Sequence, residues 1–219
     1  MKDARRRRSR QWLLGGLACG GALLLYAFPL FRIVSLTTVR ERAEQARFNP
    51  KTYVERLWSE KLPPALERAT DAATLLAEID RDPVAARARY GRSVGLGSTY
   101  TYFIKGRGRI VAVKEDGVAV ALDGSDQLRL LIQTGRLFGN AVRDGIGLID
   151  VNDFPNSQEF NRISTQINAR IESEILPPFR ERAAVGEPVD FAGCAEVVDE
   201  AADLHPLRLT PIRVSILEH

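Results

Sequence analysis

The sequence has little cysteine and little histidine, and this scarcity narrows the chemistry open to it. Its 219 residues include two cysteines, Cys19 and Cys194, and two histidines, His205 and His219. Cys19 falls in an apolar N-terminal segment, so the body of the protein has one thiol and no disulfide of its own. One usable histidine and one thiol offer little for zinc chemistry or acyl transfer. We therefore expect no metal site, no cofactor and no enzymatic activity.

The body of the protein also lacks an excess of positive charge. Residues 1–10 hold six of the 31 basic residues and one of the 28 acidic ones, so the remainder carries 25 basic and 27 acidic residues. A domain that binds nucleic acid presents a basic patch on its folded surface. We therefore expect no nucleic-acid partner. The four arginines from Arg5 to Arg8 are instead typical of the cytoplasmic flank of a membrane-spanning segment.

An uncharged run follows the arginines. Residues 12–31 contain no charge, and this is about the 20 residues that a helix needs to cross a bilayer. We expect a basic cytoplasmic arm at 1–10 and a single-pass anchor in the bacterial inner membrane at 11–36, with the body in the periplasm. Two alternatives stay open, namely processing as a lipoprotein before Cys19 and cleavage to a soluble secreted form. Lipidation of Cys19 is less favoured, because Gly16 stands where a leucine is usual and apolar sequence continues beyond the cysteine.

The segment after the anchor has the pattern of short helices. We expect a juxtamembrane and helical subdomain at 37–91. Asn49 and Pro50 are a cap and a first helical residue, and Pro63 with Pro64 should break or kink that helix. A second helix is expected through 65–79 and a third one from Asp82 and Pro83. We see no internal repeat.

From residue 92 the apolar residues alternate, which predicts short antiparallel strands. Glycine-containing joints at 106–108, 116–117 and 123–124 predict hairpin turns. A long amphipathic helix is expected at 157–182, with Phe160, Ile163, Ile167, Ile171 and Ile175 along one face. The predicted strands are 99–105, 109–114, 118–122, 128–134, 146–151, 187–198 and 207–217. A short helix is expected at 140–144.

Several stretches of the sequence resemble an uncharacterised family of predicted periplasmic lipoproteins, domain of unknown function 2291. The matching stretches are 48–66, 106–113, 128–168, 186–193 and 209–217. The resemblance implies an envelope location, a helical subdomain and an OB-like barrel with one helix. The expected fold class is therefore α+β: an N-terminal transmembrane helix, a small helical subdomain, and at 92–219 an OB-like antiparallel β-barrel with the long amphipathic helix.

The resemblance also implies a role in solute uptake, because members of the family are often encoded beside ABC transporters for sugars such as ribose or xylose. It supplies no catalytic residue. We therefore expect a membrane-anchored periplasmic accessory protein of a sugar transporter, which binds a small solute or a transporter subunit. The alternative is a structural envelope protein that acts through protein contacts and has no small ligand. A hydrolase would need two carboxylates that converge in a cleft.

A group of polar residues on or beside the loops between strands forms the candidate ligand site. Planar amides, carboxylates and arginines beside an aromatic face recognise sugars, and Trp58, Phe138 or Phe154 could supply that face. The candidate ligand-binding residues are Gln133, Arg136, Asn140, Arg143, Asp144, Asn152, Asp153 and Asn156. The alternative is that these groups satisfy backbone turns. Tyr53 and Trp58 are the candidate interface residues, with core packing as their alternative role.

Overall fold

A computed structural model describes residues 48–94, 97–124, 128–154 and 156–217. Residues from Phe48 onward form one compact unit. The expected arm at 1–10 and anchor at 11–36, including Cys19, lie outside the described residues. Within the described ranges, no helix is long and apolar enough to cross a membrane.

This finding corrects the expected fold class, because the structure does not support its N-terminal transmembrane helix. The longest helical run that is described, 157–182, is amphipathic: it buries one apolar face and exposes charged residues such as Arg162 and Glu174. A lipid-spanning helix needs about 20 predominantly apolar residues. The remaining part of the expected class, α+β with an OB-like barrel, agrees with the structure.

The centre of the molecule is a closed five-stranded barrel. Its strands follow the order β3-β4-β5-β7-β6, and β6 pairs back onto β3. All of these pairings are antiparallel except the parallel pair β5–β7. The two short strands β1 and β2 pair with the first half of β3. The described strands are β1 (Thr70–Asp71), β2 (Gly91–Arg92), β3 (Tyr100–Val113), β4 (Gly117–Leu122), β5 (Leu128–Gln133), β6 (Pro188–Val197) and β7 (Leu207–Ile216).

Strand β3 runs without interruption through Gly106 and Gly108, so the hairpin turn predicted at 106–108 is wrong. The first part of β3 pairs with β6 and the last part with β4, so this one strand closes the barrel. A Cβ on Gly108 would lie 2.3 Å from the carbonyl oxygen of Ala121. Glycine is therefore required here for close approach of two backbones and not for a turn. The hairpin turns predicted at 116–117 and 123–124 are confirmed.

Helices cover the barrel, and several begin where the sequence predicts. Asn49 caps the first helix through its side chain, and Asp82 caps the helix that starts at Pro83. The strand predicted at 146–151 is absent from the described residues; Asp150 instead caps a 3-10 turn at Val151–Asp153. The described helices are α1 (Pro50–Arg56), α2 (Leu62–Glu67), α3 (Ala72–Arg81), α4 (Pro83–Tyr90), α5 (Ala141–Gly145), α6 (Ser157–Arg170), α7 (Leu176–Arg182) and α8 (Glu200–Asp203).

Two π-helical turns join α1 to α2 and α6 to α7, and they expose an internal repeat that contradicts our expectation of none. The motif Arg-x-x-Ser-Glu-x-Leu-Pro-Pro-x-x-Glu-Arg-Ala occurs at 56–69 and again at 170–183. In both copies the leucine N–H reaches back five residues, from Leu62 to Leu57 and from Leu176 to Ile171. The wider turn makes room for two prolines that lack an N–H and would crowd an α-helical carbonyl. The helix at Pro63 and Pro64 therefore continues as a π-turn and does not break.

The apolar residues form two clusters. The first cluster fills the barrel and includes the residues of α3 and α7 that pack against it. The second cluster lies between α1, α5, α6 and β7. The predicted stripe on the long helix is confirmed, since Phe160, Ile163, Ile167 and Ile171 are buried in the second cluster. From residue 50 onward, the expected helical region thus belongs to the same compact unit as the barrel. This packing fixes the opposite face of α6, which forms the candidate site.

Candidate functional site

A pocket of about 450 Å³ lies between the long helix and the loop of residues 136–140. Its volume falls within the range of about 300–1,000 Å³ that is usual for small-ligand sites. The residues that line it are Arg136, Leu137, Phe138, Gly139, Asn140, Asn161, Ser164, Thr165, Asn168, Ala169 and Glu172. Polar side chains thus form one wall, and the loop forms the other.

The helical wall follows from the spacing of the sequence. Asn161, Thr165, Asn168 and Glu172 recur at intervals of three and four residues, so they lie on one side of the helix, and we call them the polar face. The isoleucines on the other side are buried against α1 and β7. Their burial prevents rotation of the helix and holds the polar face toward the loop.

Two hydrogen bonds attach the loop to this face. The backbone N–H of Leu137 donates to Glu172 Oε1 at 2.6 Å, and Asn168 Nδ2 donates to the carbonyl of Gly139 at 3.1 Å. Gly139 has φ of +83°, a conformation that favours glycine. Between these two anchors the side chain of Phe138 is 78% exposed. The loop therefore presents an aromatic ring beside the amides of the helix.

A buried ion pair supports the end of the polar face. The Arg143 guanidinium is 5% exposed, forms two hydrogen bonds with Asp144 at 2.6 and 3.0 Å, and stacks 3.8 Å from the centre of the Phe160 ring. It also donates to Asn161 Oδ1 at 3.0 Å. Arg143 therefore positions the Asn161 amide, and it is not among the residues that line the pocket.

Glu196 on β6 lies near Gly139 of the loop, and it adds a carboxylate to those of Glu172 and Asp144. Burial raises the pKa of Glu196, the charges of Asp144 and Asp203 raise it further, and Arg143 opposes them. A Cβ on Gly139 would lie 3.6 Å from Glu196 Oε2. The loop thus separates the pocket from a half-buried acidic group.

The structure brings together only part of the predicted ligand site. Arg136 and Asn140 line the pocket, and Arg143 and Asp144 lie behind Asn161 as described above. Gln133 instead accepts a hydrogen bond from Thr210 Oγ1 at 2.8 Å, between strands β5 and β7. Its side chain therefore ties two barrel strands together.

The other three predicted ligand residues lie at the start of α6. Asn156 caps that helix by accepting from the N–H of Glu159, and Asn152 donates to Asp150 at 2.8 Å. Asp153 lies near Tyr53, where burial raises the pKa of the tyrosine and the Asp153 charge adds to the effect. These contacts match the turn and capping role that the sequence offered as the alternative.

Sequence reasoning missed the helical half of the pocket, namely Asn161, Ser164, Thr165, Asn168 and Glu172. The signal was present as the regular spacing of polar residues opposite the isoleucine stripe. One of these residues is unusual: the hydroxyl of Ser164 is buried and has no hydrogen-bond partner in the part of the chain that the structure describes. A serine in a helix commonly donates to the carbonyl four residues before it. Ser164 therefore leaves an unused polar group in the wall of the pocket.

The candidate interface residues are half buried. Tyr53 packs in a ring cluster with Phe48 and Phe154, at centroid distances of 5.5 and 5.4 Å. Trp58 lies beneath the guanidinium of Arg170, 5.2 Å from its ring centre. The two side chains do not form the exposed apolar patch that would favour a docking role. Within the ranges given above, no group of three histidine, cysteine or acidic side chains is placed to hold a metal ion.

Comparison with known proteins supports the fold and identifies the family. An OB-fold protein from Thermotoga maritima, known from a crystal structure at 1.90 Å resolution, is 26% identical to this chain, with a TM-score of 0.69. The match covers 78% of this chain and 99% of the other. No curated protein matches the chain.

The family model of predicted periplasmic lipoproteins matches residues 21–215, which is most of the chain. Its description agrees with the expected location at the membrane on the periplasmic side. It does not include a transporter. The chain therefore belongs to the family of predicted periplasmic lipoproteins, DUF2291.

Proposed function

We propose that this chain is a non-catalytic accessory protein of sugar uptake in the periplasm, and that its pocket binds a small polyhydroxylated solute. The observation that carries the proposal is the wall of regularly spaced amide, hydroxyl and carboxylate groups on α6 and the π-helical turn after it, opposite the exposed Phe138 ring. A sugar offers hydroxyl groups around its edge and apolar C–H groups on its faces. A largely pre-formed pocket with a few fixed polar groups suits such a ligand.

The hydrogen bonds of the free protein leave complementary groups for a sugar. Asn168 uses its NH₂ group on the loop and keeps its oxygen as an acceptor. Asn161 uses its oxygen on Arg143 and keeps its NH₂ group as a donor. A hydroxyl group can both donate and accept, so one sugar can satisfy both amides.

The lining of the pocket favours binding over catalysis. It includes one carboxylate, Glu172, and that carboxylate accepts a backbone hydrogen bond that holds the loop. Glycoside hydrolysis requires a pair of carboxyl groups across the substrate. Asp144 and Glu196 interact with each other but do not line the pocket. We infer that the solute leaves the pocket unchanged.

Calorimetry tests the proposal directly. The full-length chain is titrated with a panel of pentoses and hexoses, alongside an Ala169→Trp variant whose indole fills the pocket. We expect heat from at least one sugar and at least about a tenfold loss of affinity in the variant. The matched control is Ala88→Trp on α4, which places the same side chain at an exposed site that does not line the pocket.

A lack of heat with every sugar, or equal binding by both tryptophan variants, would refute this use of the pocket. The role in uptake requires a second measurement, because a solute pocket alone does not define a partner. We expect subunits of a sugar transporter to co-purify with the full-length chain after mild crosslinking in cells. A preparation that contains none of them would count against the accessory role.

A further inference from the structure

We propose that the pocket is a groove for an extended oligosaccharide, and that a linear glycan of about three units is its preferred ligand. The inference rests on the proposed function and specifies its substrate class. It is carried by the length and spacing of the polar face and by the exposed Phe138 ring.

The polar face is long in comparison with a single sugar. From Asn161 to Glu172 the helix rises by about 16 Å, at about 1.5 Å for each residue. The polar groups recur about once in each helical turn, which is about 5.4 Å. The repeat of an extended β-1,4-linked glycan is close to that pitch. Successive sugar units can therefore meet successive side chains of the helix.

The loop limits how a ligand can lie on this face. Hydrogen bonds hold its backbone to Asn168 and Glu172, at 3.1 and 2.6 Å respectively. The Phe138 ring projects from the loop and is 78% exposed. An aromatic ring beside a row of amides is suited to stack on the face of one sugar unit while the amides bind the edges of its neighbours.

The test is a series of chain lengths measured by calorimetry on the full-length protein. The probes are xylose, xylobiose and xylotriose, with the corresponding series of glucose, cellobiose and cellotriose. Maltose and maltotriose serve as matched ligands, because they contain the same glucose units in a curved α-1,4-linked chain. We expect affinity to rise by about fivefold or more with each added β-1,4-linked unit and to rise less in the maltose series.

Variants then test the contact with the aromatic ring. Phe138→Ala should weaken trisaccharide binding by about tenfold and should weaken monosaccharide binding as well, while Phe138→Tyr should retain affinity for both. Because Phe138 is exposed, the fold should tolerate both changes. If monosaccharides bind and longer chains bind no tighter, the oligosaccharide inference is overturned while the sugar pocket stands. If no sugar of any length binds, the proposed function itself fails.

Discussion

At the scale of single residues, the site depends on charges that are held out of water. Arg143 is 5% exposed and is hydrogen-bonded to Asp144 and Asn161. Removing one partner of a buried ion pair leaves the other charge without compensation. The contribution of Arg143 to stability should therefore be much larger than that of an exposed arginine such as Arg162 on α6.

We predict that Arg143→Met lowers the free energy of unfolding by about 3 kcal/mol. Urea denaturation measures this change, provided that the transition is two-state. Arg162→Met is the matched control, because the Arg162 side chain is 55% exposed and pairs only with Glu159 among the described residues. That variant should lose about 0.5 kcal/mol or less. Equal losses in the two variants would show that Arg143 is not an effectively buried charge.

Removing the charge of Glu196 should have the opposite effect and stabilise the protein. Its carboxylate is half buried, and burial together with Asp144 and Asp203 raises its pKa despite Arg143. The folded protein therefore holds this proton more tightly than the unfolded chain does. Stability falls as the pH rises from the ordinary glutamate pKa through the raised one.

We predict that Glu196→Gln raises the melting temperature relative to the unmodified chain near pH 7, because the neutral amide avoids the cost of the charge. Below about pH 4 the difference should vanish, since glutamate is then protonated in both states. Glu115→Gln, in the exposed turn between β3 and β4, controls for removal of a surface charge. A Glu196→Gln variant that is less stable at neutral pH would contradict the raised pKa of Glu196.

The residue pattern allowed part of this site to be predicted. Arg136, Asn140 and Phe138 were selected from the loop because their side chains suit a sugar. The spacing of Asn161 and Asn168 on the helix was equally visible but was considered only for its apolar face. The coupling of Glu196 to Asp144 could not be predicted, because it arises only when the barrel brings β6 beside α5.

At the scale of elements, local pattern and long-range packing gave different answers for Gly106 and Gly108. Glycine beside arginine has the composition of a hairpin turn, and the sequence predicts one there. The structure instead uses both glycines for close approach, with the Cβ position of Gly106 lying 3.0 Å from Ala72 Cβ and from Phe191. Such a contact depends on distant elements, so a short window of sequence cannot reveal it.

This explanation predicts that Gly108→Ala is strongly destabilising, although alanine is usually tolerated in strands. The added methyl group would meet the Ala121 carbonyl at 2.3 Å and a methyl of Val120 at 2.7 Å. A loss of about 1–3 kcal/mol is expected on urea denaturation. Gly135→Ala is the control, because its Cβ would find ordinary contacts at 3.5 Å or more from Asp116. If the two variants have equal stability, the close packing of β3 on β4 is incorrect.

The repeated proline motif shows a second limit of local rules. A proline pair inside a helical pattern predicts a break or a kink. Both Pro63 and Pro177 follow a π-turn that lets the helix continue without a break. In each copy a serine hydroxyl bonds to a preceding backbone carbonyl, at 3.0 Å for Ser59 and 3.3 Å for Ser173. An arginine also pairs with the glutamate four residues later in both copies. The same motif therefore forms the same π-helical turn before a proline pair at two places in the chain.

At the scale of the whole molecule, the sequence predicted the architecture better than it predicted the connections. The barrel strands, the long amphipathic helix and the caps at Asn49 and Asp82 followed from periodicity and turn residues. The parallel pairing of β5 with β7, and the closure of the barrel by both halves of β3, did not. These features depend on contacts between residues that are about 77 to 97 positions apart in the chain, from Leu130 with Leu207 to Tyr100 with Val197.

The expected membrane anchor is another case in which a local stretch of sequence and the structure gave different answers. The uncharged run favoured a transmembrane helix, but the structure supports none among its described residues. Membership of the family supports a periplasmic location through its description as lipoproteins. The family match begins at residue 21, beyond Cys19, so lipidation of Cys19 stays one of the alternatives that the sequence left open. In either case, the pocket on α6 belongs to the compact unit that begins at Phe48.

The central claim is that a sugar occupies the groove between the 136–140 loop and α6. Nuclear magnetic resonance tests it most directly, by titration of the ¹⁵N-labelled full-length chain with xylose and then with xylotriose. The backbone amide signals that shift should be confined to residues 136–140 and 161–172. No shift with either sugar would contradict the claim, as would shifts centred on the charged cleft of Lys105, Arg107 and Arg213.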